Sequence, residues 1–260
     1  MATKEIKLDL VKESDFIIEV SESDVFITGT TFAMPPVDAE AWASKNLTVR
    51  AYDLTLTKNL SLPGKSLTIV CRFLRTEQSL TISVSGEPGS TPSTAAGDGP
   101  SPGDKGIDAT VKGGRGGDSG IVYIIAEKYI GERLSIEANG GRGGTGQAGG
   151  NGSNGLQGPD ANDKPLSTRY DGQRGFTGGK GHPGGDAGAG AKGGDGGNGG
   201  NISIMSSDQN LSDKVVITHE AGIGGPGGQP GQPGKGGSGG KGGWGVKCYR
   251  NTDDGPIRDR

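Results

Sequence analysis

KGGDGGNGGN, residues 192–201, holds six glycines in ten positions, yet Lys192, Asp195, Asn198 and Asn201 recur at strict three-residue spacing with glycine pairs between them. Glycine loses more backbone freedom on folding than any other residue, so an ordered structure must recover that cost, and a flexible linker has no reason to keep count. The regular backbone that repeats every three residues without internal hydrogen bonds is the left-handed polyproline II helix. On such a helix the four polar side chains line one edge, Gly193, Gly196 and Gly199 a second, and Gly194, Gly197 and Gly200 a third. Two edges without side chains let two neighbours approach until backbone N–H groups reach carbonyls across the gap. The stretch is expected to be one helix of a layered bundle, with its charges confined to the solvent edge.

The pattern extends well beyond these ten residues. Glycine holds every third position from Gly140 to Gly158 and from Gly222 to Gly243, and nine of ten such positions from Gly172 to Gly199, Ala187 being the exception. Lys112, Arg115 and Asp118 repeat the polar edge, as do Lys235, Ser238, Lys241 and Trp244. Collagen uses the same backbone, but these tracts are short, apolar segments interrupt them, and the chain has only 14 prolines.

Of the 260 residues, 54 are glycine, 30% are hydrophobic and 5% aromatic, so an ordinary core cannot cover the whole length and disorder is the alternative to beat. Acidic and basic residues are mixed to a net charge of −3, with no basic stripe for nucleic acid. The opening MATKEIKLDLVKESD lacks the apolar centre of a signal peptide, and no run approaches the roughly 18 apolar residues of a membrane span. Membrane insertion is not expected, and the compartment stays open to non-classical export or surface assembly. Cys71 and Cys248 are too few for a disulfide scaffold. A bridge between them is left open, with Cys71 read as a small buried hydrophobe.

Between the glycine tracts the apolar segments align with one another. Anchors at Leu47, Leu67, Ile121 and Ile202 are each followed thirteen residues later by Leu60, Leu80, Leu134 and Val215, and apolar residues recur two positions beyond every anchor. Period two marks half-buried strands, and the twenty residues from Leu47 to Leu67 match one coil of a parallel β-solenoid in which like residues stack. Ala51, Cys71 and Ile125 are expected in one inward column. Phe16–Val20 and Val25–Thr28 read as strands of an irregular cap, and 37–44 as a short helix. The glycine tracts then become insertions between successive coils. Two helices fit 86–120, four fit 140–200, and two fit 222–245 around a turn near 229–234.

In these triplets the sequence resembles polyglycine II proteins: springtail antifreeze proteins, glycine-rich phage tip adhesins and the glycine-rich domain of Obg-type GTPases. The likeness covers the triplet tracts within about 86–245, implies a polyglycine II bundle, and transfers no functional residue. The expected fold is all-β, with short parallel β-solenoid rungs and inserted polyglycine II helices forming a layered bundle. The expected organisation is a cap over 1–45, two rungs over 46–85, the bundle over 86–245 interleaved with rungs 121–139 and 202–221, and a further strand or cap over 246–260. Val246 and Cys248 alternate like the start of another rung, whose second anchor would fall at Asp259; this reads as the N-terminal part of a longer array.

Motifs for chemistry fail on context. Gly141-Arg-Gly-Gly-Thr-Gly146 fits a dinucleotide fingerprint, but more glycine follows it instead of a helix. Gly113–Asp118 resembles a calcium β-roll repeat, yet glycine occupies position 120 where an aliphatic residue is needed. Asp160, Asp163 and Asp171 read as a solvated loop rather than a cation site. His182 and His219 have no nucleophile or metal-ligand partner at motif spacing. No catalytic residue, metal or cofactor is expected. The function expected is a structural scaffold or spacer in a larger surface or multidomain assembly, partnered by a surface protein, a glycan or further domains of the same polypeptide. The alternative is an adhesin-type module in which Arg169, Tyr170, Arg174 and Phe176, in the loop 159–177, contact a glycan or surface protein. Ice binding is disfavoured by charged edges such as Lys192 and Asp195.

Overall fold

The computed structural model describes residues 16–35, 42, 44–161, 176–208 and 211–243, and divides into two compact units. The first comprises Met1–Ser93, Val111–Gln147 and Ala191–Gly228; the second comprises Thr94–Thr110, Ala148–Gly190 and Gln229–Arg260. The helix expected over 37–44 lies outside the described residues apart from Trp42 and Ser44, and the strand expected at 246–248 lies wholly outside them.

Every described strand belongs to the first unit, and the chain is all-β, its described helix, apart from the helical Trp42, being the four-residue α1 (Leu211–Lys214). Long strands β4 (Asn46–Leu56), β6 (Leu67–Thr76), β8 (Val122–Gly131) and β10 (Ile202–Ser206) pair in parallel in that order. Short strands β5 (Leu60–Ser61), β7 (Leu80–Ser83), β9 (Leu134–Glu137) and β11 (Val215–Thr218) form a second parallel sheet. At the N-terminal edge β1 (Phe16–Val20) and β2 (Asp24–Gly29) make an antiparallel hairpin, while β2 and β3 (Thr31–Ala33) both lie parallel on β4.

Alternation along each strand sends every second side chain inward, where register stacks like on like. Val25, Leu47, Leu67 and Val122 form one buried column; Ile27, Val49, Ile69 and Ile124 form the next. Ala51, Cys71 and Ala126 are level just before pairing skips Tyr52, Arg72 and Glu127 and the inward alternation shifts by one residue, and beyond this point Phe32, Leu54, Leu74 and Tyr129 resume the core. The Tyr129 hydroxyl donates to the Glu132 carbonyl and lies 2.7 Å from the Thr76 hydroxyl, which satisfies the buried polar atoms of that column.

Two register expectations need correction. Val122, not Ile121, is the third anchor: Val122 is buried, Ile121 is 51% exposed, and Ala126 rather than Ile125 joins Cys71. The thirteen-residue offset holds from Leu67 to Leu80 and from Ile202 to Val215 but fails at this rung, because only Glu132 and Arg133 separate β8 from β9, against three residues between β6 and β7. Gly131 makes the shorter turn feasible, since it has φ 152° and a Cβ there would run into the Thr76 backbone. Leu60 pairs with Ile82 instead of Leu80, a slip of two residues that keeps the same face inward.

Beyond the strands, the first unit contains five extended glycine-rich segments: 86–93, 111–120, 139–147, 191–200 and 219–228. Their backbone bonds recur every third residue. Gly114 and Gly117 donate to Ser90 and Glu87, Gly141 and Gly144 to Gly117 and Gly114, Gly194 and Gly197 to Gly144 and Gly141, and Gly222 and Gly225 to Gly197 and Gly194, all at 2.7–2.9 Å. These pairs are antiparallel. Parallel pairs join every second segment, as in Gly140 and Gly143 donating to Glu220 and Ile223. Segments 86–93, 139–147 and 219–228 thus make one layer, and 111–120 and 191–200 the other.

The second unit repeats this ladder in 94–110, 148–161, 176–190 and 229–243. Segment 94–110 reverses where Asp104 N–H donates to the Ser101 carbonyl and Gly103 has φ 81°. Gly179, His182, Gly185 and Gly188 donate in unbroken order to Pro159, Leu156, Ser153 and Gly150. The four helices expected within 140–200 are therefore not formed there: 148–161 and 176–190 are direct antiparallel neighbours. Nor does the chain turn at 229–234, because Gly231, Gly234, Gly237, Gly240 and Gly243 donate successively to Gly188, Gly185, His182, Gly179 and Phe176.

Candidate functional site

The interface between glycine segments is built from backbone hydrogen bonds, and at most inner-edge positions it excludes a side chain, Ala191 and Gln147 being exceptions in the first unit. In the first unit a Cβ on Gly194 would meet the Gly114 carbonyl, and one on Gly197 the Gly117 carbonyl, both closer than the 3.0 Å that real Cβ atoms respect. The same holds for Gly193 against Gly225 and Gly196 against Gly222. Lys192, Asp195 and Asn198 are exposed, as the three-fold pattern anticipates.

The polar edge does more than face water. At eight outer-edge positions the backbone N–H is capped by a side-chain oxygen from a segment earlier in the sequence. In the first unit the Asp118 carboxylate accepts from Asn198 N–H at 2.7 Å, Asn139 Oδ1 from Glu220 N–H at 2.8 Å and Thr91 Oγ1 from Thr145 N–H at 3.0 Å. In the second unit Asp98, Asp108, Asn151, Asn154 and Asp160 do the same for Asn151, Ala189, Gln232, Lys235 and Lys241. Sequence reasoning placed Asp118 on the solvent edge and Asp160 in a solvated loop, and missed this role for all of them. The available signal was short Asn, Asp and Thr side chains on the outer register, 53 to 81 residues ahead of the residue they cap.

Ion pairing and the capped N–H groups favour the ionised carboxylates. Lys105, then the Ala189 N–H, holds Asp108 below the usual carboxylate range, and Arg115, then the Asn198 N–H, does the same for Asp118. A depressed folded-state value stabilises the fold above the unfolded carboxylate value, and the contribution is lost as pH falls through the folded one. Replacing Asn151 with alanine is expected to cost about 1 kcal/mol, as loss of a helix cap does, whereas Asn198→Ala, whose side chain caps nothing among the described residues, should stay within about 0.5 kcal/mol. Urea midpoints of the two variants test this; equal losses would show that the caps contribute nothing. A wild-type series from about pH 6 to about pH 3 should show the midpoint falling with acid.

Other candidate groups form smaller features of the first unit. Where the pairing of the long strands skips, Arg72 donates to the Tyr52 hydroxyl at 2.8 Å, pairs with Glu127 at 2.8 Å, and stacks 5.4 Å from the Tyr52 and Phe73 ring centres. Beside it a shallow groove is lined by Val70, Cys71, Ile125, Ala126 and Met205. Burial, and then Asp53, pushes the Cys71 thiol up to about 12, so it stays protonated and inert near neutral pH. Cys71 is a free thiol, and Cys248 lies outside the described residues.

Of the residues expected to bind a partner, Arg169, Tyr170 and Arg174 lie outside the described residues. Phe176 is 52% exposed, and its carbonyl accepts from Gly243 N–H. Asp160 is a cap rather than part of a solvated loop, while Asp163 and Asp171 lie outside the described residues. His182 donates its backbone N–H to Leu156 and accepts from Gly237, which places it within the ladder. Among the described residues no cluster of three or more His, Cys, Asp or Glu could hold a metal ion, and no helix is long and apolar enough to cross a membrane. Compared with protein-family models, curated proteins and solved structures, the chain has no match.

Proposed function

We propose that this chain is a non-enzymatic scaffold or spacer: a short parallel β-solenoid whose turns expand into polyglycine II helices, serving as a stiff module of a larger surface or multidomain assembly. The observation that carries the reading is the three-residue ladder, in which glycine segments give their N–H groups to the carbonyls of antiparallel and parallel neighbours and receive N–H groups in turn. A backbone used in this way has no side chains left for a pocket, and its hydrogen bonds hold the layers where an ordinary core is missing. Rigid extension is what such a construction supplies. The three-residue period and the bare inner edges support polyglycine II geometry, and the stacked like-on-like columns support a solenoid.

Hydrogen exchange tests the reading. The amides of Gly194, Gly197, Gly222 and Gly225 are expected to exchange at least about a hundredfold slower than random coil, as buried ladders do. Random-coil exchange at all four would refute an ordered bundle. A glycan-array signal abolished by changes within 159–177 would instead favour the adhesin reading, for which half-exposed Phe176 is the one described contact residue.

A further inference from the structure

Segment 191–200 is held in the first unit by a specific set of groups. Gly113, Gly116 and Ser119 of 111–120 donate to its carbonyls at Lys192, Asp195 and Asn198, over 2.8–3.1 Å. In return its Ala191, Gly194 and Gly197 donate to the carbonyls of Gln147, Gly144 and Gly141. One step along the stack the same set recurs without an occupant among the described residues. The N–H groups of Gly193, Gly196 and Gly199 stand where those of Gly113, Gly116 and Ser119 stood, and the carbonyls of Gly222, Gly225 and Gly228 replace those of Gly141, Gly144 and Gln147; none of these six groups has a hydrogen-bond partner among the described residues. Asn198 also takes the place of Asp118, whose carboxylate caps the next segment's outer N–H, and its own side chain caps nothing among the described residues.

We propose that this groove is a docking site for one further glycine-triplet segment, contributed by a partner polypeptide and lying parallel to 191–200; the inference rests on the polyglycine II reading above. The geometry specifies the occupant. It must be extended, it must carry glycine on the two registers that face 191–200 and 219–228, and its third register can carry any polar residue. Every triplet segment among the described residues is already engaged within the bundle, while residues 162–175 contain glycine only at 172 and 175 and residues 244–260 only at 245 and 255, so residues 1–260 offer no spare one, in the same chain or in a second copy. Addition to the other layer is interrupted in the second unit. Gly149 and Gly152 there donate to Gln229 and Gln232, but the next donors level with them would be Pro230 and Pro233, which have no N–H, whereas Gly236, Gly239 and Gly242 further along the row keep theirs.

The test adds a synthetic peptide with the sequence of residues 186–200 to the intact chain and follows individual glycine amides by hydrogen exchange. At saturating peptide the amides of Gly193, Gly196 and Gly199 are expected to slow by about tenfold or more, while a peptide carrying Gly193→Ala and Gly196→Ala has no effect. Unchanged exchange at these three sites would overturn the proposal, provided that Gly194 and Gly197 remain protected; loss of protection at Gly194 and Gly197 as well would instead be failure of the bundle itself. Slowing that grows with concentration of the chain alone would assign the groove to a second copy and overturn a separate partner.

Discussion

Gly197→Ala is expected to cost about 3 kcal/mol, and Gly224→Ala to be neutral or slightly stabilising, although both replace a glycine in the same repeating pattern. Gly197 lies where three neighbours converge. Its N–H donates to Gly141, its carbonyl accepts from Gly222, and an added Cβ would strike the Gly117 carbonyl, so relief requires moving a whole backbone rather than rotating a side chain. At Gly224 the nearest atom to such a Cβ is the Gly194 carbonyl oxygen at 3.6 Å, an ordinary contact, and alanine lowers the entropy of the unfolded chain. Urea midpoints with an unchanged denaturant slope read the difference directly. Comparable losses at the two sites would mean that glycine is required for backbone freedom in general and not for close approach at particular edges.

The contrast between those glycines shows what could be seen in the sequence and what could not. Three-residue spacing identified Lys192, Asp195 and Asn198 as one edge because close backbone approach at Gly193, Gly194, Gly196 and Gly197 leaves no room for side chains on the other two registers there. Period two found the strands for the same kind of reason. Register was harder, since pairing depends on turn length: Ile121 and Val122 are equally apolar, and only the two-residue turn after Gly131 selects Val122. Segment count failed because glycine triplets look alike whether the chain runs on or reverses, and the prolines at 230 and 233, read as a turn, fit an extended backbone equally well. The Asn and Asp caps escaped notice because each joins residues far apart in sequence, and a polar residue on an exposed edge has an adequate local explanation.

Replacing Ile136 with alanine should cost about 3 kcal/mol, the usual price of truncating a fully buried aliphatic side chain, and should also loosen glycines that the side chain never touches. Ile136 is fully buried in the column with Ile82. The ladder of its strand does not stop where the strand does. Pairing of β9 with β11 continues through Ala138 N–H to the Thr218 carbonyl, then Gly140 to Glu220 and Gly143 to Ile223, at 2.8–2.9 Å throughout. On the other flank Val84, Gly86 and Gly89 donate to Glu137, Asn139 and Arg142 in the same uninterrupted way. The apolar columns thus fix the register from which the glycine segments start, and a segment with no side chains on its inner edges has no other means of choosing it. Amide exchange at Gly140 and Gly143 should therefore accelerate in step with that at Leu134 in the variant, and both should follow one urea transition. Retained protection at Gly143 together with accelerated exchange at Leu134 would show that the glycine layers hold their register without the core.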